Sequence, residues 1–403
     1  MKKTSTASGR TCACILLITS FVAAVVHGAD VPAKADKPLT VEEQLPSLHL
    51  QRGPWVEGTV HRESVFFVKR TDGKPTAKLL FDAEKVLAVH RGDGKQTFEA
   101  GKDYQLTGDG SSLVLLEGSR IPFRKETELF VPKGSPNSIG HRTGKPDTSL
   151  LFGEGHFFHD QQVEVTYVPR KDAKLVGYKP KFAEKGLAGT IAKLRAKKPL
   201  IVGVSGDSIS QGYNASGFTK APPFMPPYPN LVTAQLEKTY GSKVTLHNRA
   251  IAGWSVGQGV KDIDNLLKHK PDLVVIAYGM NDVGGRNPAN YKASVAKILD
   301  HIKEANAATE VILVASMMGN PEWAATPSEM FPKYRDALVT LEGSGVVVAD
   351  MTAVWQELLK RKRFVDMTGN GVNHPNDYGH RLYAQVILGL LVDTGLSSPE
   401  PKR

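Results

Sequence analysis

The sequence predicts an α/β protein, a three-layer α/β/α doubly wound parallel sheet, preceded by a smaller all-β, sandwich-like domain. Three observations predict it. From residue 200 onward, short β-branched apolar runs alternate with stretches of helical periodicity, the pattern of repeated βα units. Before residue 170, short apolar runs alternate with Gly/Asp turn signals, without a helical period. At 403 residues the chain has room for two domains and a sizeable core.

In chain order, residues 1–28 read as a secretory signal peptide. Lys2, Lys3 and Arg10 make a positive start, Cys12 to Val26 is apolar apart from Thr19 and Ser20, and Val26-His27-Gly28-Ala29 offers small residues for cleavage. The apolar run is too short for a typical membrane span, and no other run is long enough, so no transmembrane segment is expected after its removal. Both cysteines, Cys12 and Cys14, lie inside it. The mature chain is therefore expected to hold no disulfide, no thiol nucleophile and no cysteine-bound zinc. The formal charge of +10 loses three positives with this segment. The remaining Lys and Arg are dispersed, without the basic stripe and interleaved aromatics of a nucleic-acid surface.

Residues 29–51, with Pro32, Pro38 and Pro46, read as a linker. Residues 52–170 read as the β domain. Its runs include Val65–Val68, Lys78–Phe81, Lys85–Val89 and Ser112–Leu116, set apart by Asp72-Gly73, Gly92-Asp93-Gly94 and Gly108-Asp109-Gly110. Gln162 to Val168 alternates, with Val163, Val165 and Tyr167 on one face and Glu164 and Thr166 on the other. His156, His159 and Asp160 have metal-ligand chemistry, but their spacing on a strand or loop argues against a metal site. Residues 171–186 read as a connector.

Residues 187–397 carry the βα units. Strands are expected at 200–204, 243–247, 272–277, 310–315 and 345–349, and helices at 231–240, 260–267, 290–304, 329–341 and 378–392. The organising stretch is Leu200 to Gly212. A buried apolar strand runs abruptly into Gly206-Asp207-Ser208, which places a serine at the carboxyl edge of the sheet, where open α/β folds bind ligands. Alone, such a serine is as well read as a turn or helix cap. No P-loop and no G-x-G-x-x-G accompanies it. A Pro-rich loop, Asn214 to Pro229, with Phe218, Phe224 and Tyr228, is expected as a wall beside it.

Other strand ends bring further polar groups to that edge. Gly253 can present a bare backbone N–H, Asn281 in Gly279-Met280-Asn281-Asp282 can donate a side-chain amide, and His374 in a Gly/Asn-rich loop can act as a general base. Alone, Gly253 reads better as an ordinary turn glycine, Asn281 reads also as a turn or cap residue, and a lone loop histidine is usually a surface residue. Together, Gly206-Asp207-Ser208, Gly253, Gly279-Met280-Asn281-Asp282 and His374-Pro375-Asn376 resemble the four blocks of the SGNH/GDSL hydrolase superfamily, in order, over about Pro199 to Leu396. The resemblance is closest in kind to its carbohydrate esterases.

The resemblance implies the flavodoxin-like SGNH hydrolase fold and a serine esterase mechanism. Ser208 attacks an ester carbonyl, and His374 takes its proton and returns it to the leaving alkoxide. The N–H groups of Ser208 and Gly253 and the amide of Asn281 form the oxyanion hole. An acyl-enzyme follows, with no metal and no cofactor. The family usually has an aspartate three residues before the histidine, and here that position is Gly371. Asn370, Asp366, Asp377 or a backbone carbonyl are left to orient the imidazole. The expected activity is hydrolysis of O-acyl esters, mainly acetyl, of polysaccharides by a secreted or periplasmic protein, with acylated carbohydrate as partner. A lipid-directed esterase or thioesterase, and a degenerate glycan-binding envelope protein, are the alternatives.

Overall fold

The computed structural model describes residues 38–142, 144–174 and 176–393. The expected signal peptide and residues 29–37 of the expected linker lie outside the described residues. The described residues form one compact unit.

The parallel sheet is present. Its strands are β1 (Leu200–Gly206), β2 (Val244–Asn248), β3 (Leu273–Ala277), β4 (Glu310–Ala315) and β5 (Val346–Asp350), in the order β2-β1-β3-β4-β5. All four pairings are parallel. This order reverses direction between β1 and β3, and a crevice opens at such a switch point, outside the strand ends. All five residues of β3 are buried, as a strand covered on both faces requires. The helices fall into two packed groups. Val256–Leu267, Pro288–Ala305 and Phe331–Val339 pack in succession, and Ala188–Arg195, Tyr228–Tyr240 and Asp377–Leu391 form the other group. The helix Met351–Leu358 is absent from the sequence reading. It is short, and Asp350, the last residue of β5, caps it by accepting from the Ala353 N–H at 2.8 Å.

The stretch read as a linker is different where it is described. Val41–Leu48 is a helix with a Thr40/Glu43 capping box, and it packs on the helix Tyr228–Tyr240. Proline at 46 and the alternating charges disguise it, but Leu45 and Leu48 are buried. Burial of a short amphipathic face fixes it, since eight residues do not hold a helix alone.

The strands before residue 170 form three sheets. One contains Val60–Phe66, Gln162–Pro169, Ala83–Arg91 and Thr97–Phe98, all antiparallel. A second contains Tyr104–Leu106, Ser112–Leu115, Thr76–Lys78, Val68–Lys69 and Arg124–Lys125, antiparallel except for its last pair. A third, Ser138–Gly140, Thr148–Leu151 and Phe130–Pro132, extends over the parallel-sheet half. There the Ala324 N–H donates to Gly140 O at 3.0 Å, and His141 Nε2 lies 2.8 Å from Glu322 Oε2.

The expected polar face of the strand Gln162–Pro169 is not a solvent face. Gln162 and Glu164 are buried. Glu164 pairs with Arg62 at 2.6 Å and lies 3.8 Å from Arg381 on the last helix. The Gln162 amide donates to Val365 O and Thr368 O at 2.7 and 2.8 Å. Deeper still, Lys362 donates to Glu63 at 2.5 Å with both side chains fully buried, and Glu63 also accepts from Tyr167 Oη and the Leu80 N–H. These contacts join the β region to the loop that carries His374.

Candidate active site

β1 ends at Gly206, where a Cβ would lie 2.6 Å from Ser210 Oγ and 2.9 Å from Ala277 O, so only glycine fits the crossing onto β3. Asp207 then caps a four-residue helical turn by accepting from the Ile209 N–H at 3.0 Å, and Ser208 is its first residue. Burial drives the Asp207 carboxyl up to about 7, with the nearby Asp282 charge adding to it against the Ile209 N–H. Ser208 is 4 % exposed.

His374 Nε2 lies 2.8 Å from Ser208 Oγ, although 166 residues separate them in the chain. The loop that delivers the ring is closed on itself. Gly369 N–H donates to His374 O at 2.9 Å, and Asn370 Oδ1 accepts from the N–H groups of Val372, Asn373 and His374 at 3.0, 3.0 and 3.2 Å. Asn320 ties it to β4, accepting neighbours being Gly371 O at 3.0 Å and Val372 O at 2.9 Å.

The other imidazole nitrogen meets a residue that sequence reading did not single out. His374 Nδ1 lies 3.0 Å from Glu154 Oε1 and 3.2 Å from Glu154 Oε2. Glu154 follows the strand Thr148–Leu151, so it comes from the β region. With the proton on Nδ1, the ring donates to Glu154 and offers Nε2 to the Ser208 hydroxyl. Nothing near residue 154 marks a catalytic motif; only the tertiary approach of a distant loop reveals it.

None of the three residues expected to orient the imidazole does so with its own carboxylate or amide. Asn370 acts one step back: its side-chain amide donates to Glu154 Oε1 at 3.2 Å, and its oxygen is committed to the loop backbone. Asp366 accepts from the N–H groups of Phe66 and Arg363 at 2.8 and 2.7 Å. Burial opposes its charge, but Arg363 and Lys362 hold its carboxyl below the usual range. Asp377 accepts from the Ser216 N–H at 2.7 Å and so anchors the Pro-rich loop. Gly371 has φ of +79°, and a Cβ there would sit 2.8 Å from the Phe158 ring. The position three residues before the histidine is thus filled by the β region instead of by a side chain.

Of the expected oxyanion donors, Gly253 lies in a turn with φ of +78° and open space where a Cβ would be. Its loop is laid across the serine turn by Ile251 N–H to Gly206 O at 3.1 Å and Ala252 N–H to Gln211 Oε1 at 2.7 Å. The N–H groups of Ser208 and Gly253 have no acceptor within the protein among the described residues. Asn281 is brought to the same turn: its amide donates to Trp254 O at 2.9 Å, which leaves its second N–H uncommitted. Asp282 positions this block by accepting from the N–H groups of Val256 and Gly279, each at 3.0 Å. Burial raises its carboxyl to about 6 against those two bonds.

Aromatic rings line the approach. Tyr213 meets His374 edge-on at 5.0 Å and Phe218 at 4.7 Å, and Phe218 is exposed. The Pro-rich loop thereby forms the expected wall. Tyr228 does not face this approach: it is buried and meets Ser210 Oγ at 2.7 Å. His156 pairs with Asp160 at 2.6 Å, and His159 Nε2 lies 2.7 Å from Pro222 O, so both histidines have structural partners. A cavity beside the serine turn, lined by Asp207, Ile209, Ser210 and Tyr383 among others, has about 10 Å³, room for at most one water.

Residues 204–382 match the model of the GDSL-like Lipase/Acylhydrolase family. No curated protein matches the chain. Among solved structures, a two-domain esterase active on acetylated mannans, co-crystallised with mannopentaose, is similar at 23% identity and a TM-score of 0.42. That alignment covers 52% of this chain and 53% of the esterase, about half of each. An acetyl xylan esterase from Geobacillus stearothermophilus is similar at 20% identity and a TM-score of 0.38, over 47% of this chain and 93% of the other.

Proposed function

We propose that this chain, whose residues 204–382 are of the GDSL-like lipase/acylhydrolase family, is an exported serine esterase that removes O-acyl groups, above all acetyl, from polysaccharides. The observation that carries the reading is the 2.8 Å contact between His374 Nε2 and Ser208 Oγ at the switch point of the sheet. A serine hydroxyl becomes a nucleophile when a base within hydrogen-bond reach takes its proton. Ser208 Oγ attacks the ester carbonyl while His374 Nε2 accepts the proton. The N–H groups of Ser208 and Gly253, with the free amide N–H of Asn281, receive the oxyanion. The proton then passes to the leaving sugar hydroxyl. Water, deprotonated by the same nitrogen, releases the acid from Ser208.

One feature favours a carbohydrate: the approach beside His374 offers Tyr213 and the exposed Phe218, on which the apolar face of a sugar ring can rest. Export follows from the charged, apolar and small-residue pattern of residues 1–28.

Acetate release from acetylated xylan or mannan tests the reading, with Ser208→Ala as control. Turnover is expected to fall by about 10⁴-fold or more in the variant. p-Nitrophenyl acetate is expected to exceed the long-chain esters. Equal acetate release from both proteins, or a preference for long chains, rejects the proposal.

A further inference from the structure

We propose that Glu154 is the positioning carboxylate of the site, so that the β region supplies the third member of a Ser208–His374–Glu154 triad. The inference rests on the reading of Ser208 and His374 as an acyl-transfer pair. Both Glu154 oxygens lie within 3.2 Å of His374 Nδ1. The segment that carries it is held from both sides. Gly155 O accepts from the Asn214 amide at 2.9 Å, and Phe152 N–H donates to Asn137 O at 2.9 Å. Phe158, a few residues on, is fully buried against Gly371. Asn370 holds Glu154 Oε1 from the histidine loop itself. The two buried carboxylates nearest in sequence to the histidine, Asp366 and Asp377, are committed to backbone N–H groups elsewhere.

The chemistry follows from the ring's two nitrogens. When Ser208 Oγ bonds to the acyl carbon, its proton moves to Nε2 and the ring becomes imidazolium. Nδ1–H then faces the Glu154 carboxylate, which stays ionised and takes no proton. The ester C–O bond breaks as the Nε2 proton passes to the leaving alkoxide. Glu154 fixes the tautomer before attack and favours the cation during it. Its side chain is 39% exposed, so solvent screens its charge more than that of a fully buried acid. The loss on neutralising it is therefore expected at about 10²-fold, below the roughly 10⁴-fold of a buried triad acid. The β region is then part of the catalytic apparatus, not an appended module.

The test is Glu154→Gln in the full chain, a substitution that keeps size and an acceptor for Asn370. The expected result is a kcat about 10²-fold lower with KM within about twofold. The acid limb of the kcat profile moves to lower pH, because a charge that favours the imidazolium has gone. A purely structural role for Glu154 moves neither the limb nor the ratio of kcat to KM effects in this way. The second readout needs no turnover: a downfield Nδ1–H proton resonance from His374, present in the parent and lost or moved upfield in Glu154→Gln. Parental kcat and pH profile in the variant, or an unmoved resonance, overturn the proposal. If the parent cleaves no ester, the acyl-transfer reading fails, and the resonance alone decides whether Glu154 holds the ring.

Discussion

The strands Leu200–Gly206 and Gln162–Pro169 are both largely buried, for opposite reasons. The first is an apolar run covered by helices on two faces. The second alternates apolar and polar, the pattern of a strand with one wet face, yet Gln162 and Glu164 are as hidden as Val163 and Val165. What covers its polar face is itself polar: Arg381, Arg62 and the backbone around Thr368. A buried polar group is tolerated when its partners come with it. The difference teaches that binary patterning reports the core of one region well and the seam between two regions badly. At a seam, polar side chains pack on polar side chains, and each alone looks like surface.

The sharpest way to break this comparison is at the seam's buried ion pair. Lys362→Met leaves Glu63 fully buried without its cation. Removing one partner of a buried pair costs roughly 3–5 kcal/mol, whereas replacing both is far milder. Urea unfolding should therefore show a large loss for the single variant and a small one for Glu63→Gln combined with Lys362→Met. A single transition that carries the fluorescence of both regions is expected, since the pair lies between them. Two separated transitions in the parent would show that the seam does not couple the halves.

A second test asks whether the histidine loop can do without the β region. Gly371 stands where the family usually has its aspartate. Gly371→Asp restores that residue, but its Cβ would meet Phe158 at 2.8 Å from a backbone with φ of +79°. Overpacking and left-handed strain together should cost roughly 2–4 kcal/mol. The variant is expected to lose acetate release along with stability. A gain in kcat would mean that the loop accepts its own carboxylate and that Glu154 is dispensable.

The parallel-sheet half was legible because its signals are local. β1 and the Gly206-Asp207-Ser208 turn are contiguous, and the block Gly279 to Asp282 closes on itself through Asp282 and the Gly279 N–H. The alternation of strands and helices then sets the strands parallel, whereas their order came only from the structure. Glu154 was not legible, because no residue beside it in the chain takes part in the chemistry. The helix Val41–Leu48 was obscured by its proline and charges and is fixed by burial of Leu45 and Leu48. Asp366 and Asp377 looked available for the imidazole by sequence distance alone. In three dimensions, backbone N–H groups of the β region and the Pro-rich loop claim them first.

The smallest expected effect, and the one that separates the two regions by sign, is in pH dependence. In the β region, hydrogen bonds from the Arg120 side chain at 2.5 and 3.0 Å hold the Asp103 carboxyl well below the usual range, against burial. A depressed carboxyl contributes stability above its unfolded pKa of about 4, and that contribution is lost as pH falls through the folded value. Asp103→Asn should therefore cost most near pH 7 and less near pH 3. In the parallel-sheet half, burial lifts the Asp207 carboxyl to about 7. A raised carboxyl favours the folded state below about pH 4, and the advantage disappears as pH rises through the folded value. Asp207→Asn, which keeps an acceptor for the Ile209 N–H, should then gain stability relative to the parent between about pH 4 and about pH 8. Urea midpoints of both variants and the parent, followed from about pH 3 to about pH 8, decide the matter. Slopes of the same sign would mean that the serine turn is wetter than its packing indicates, and that burial does not set the Asp207 carboxyl.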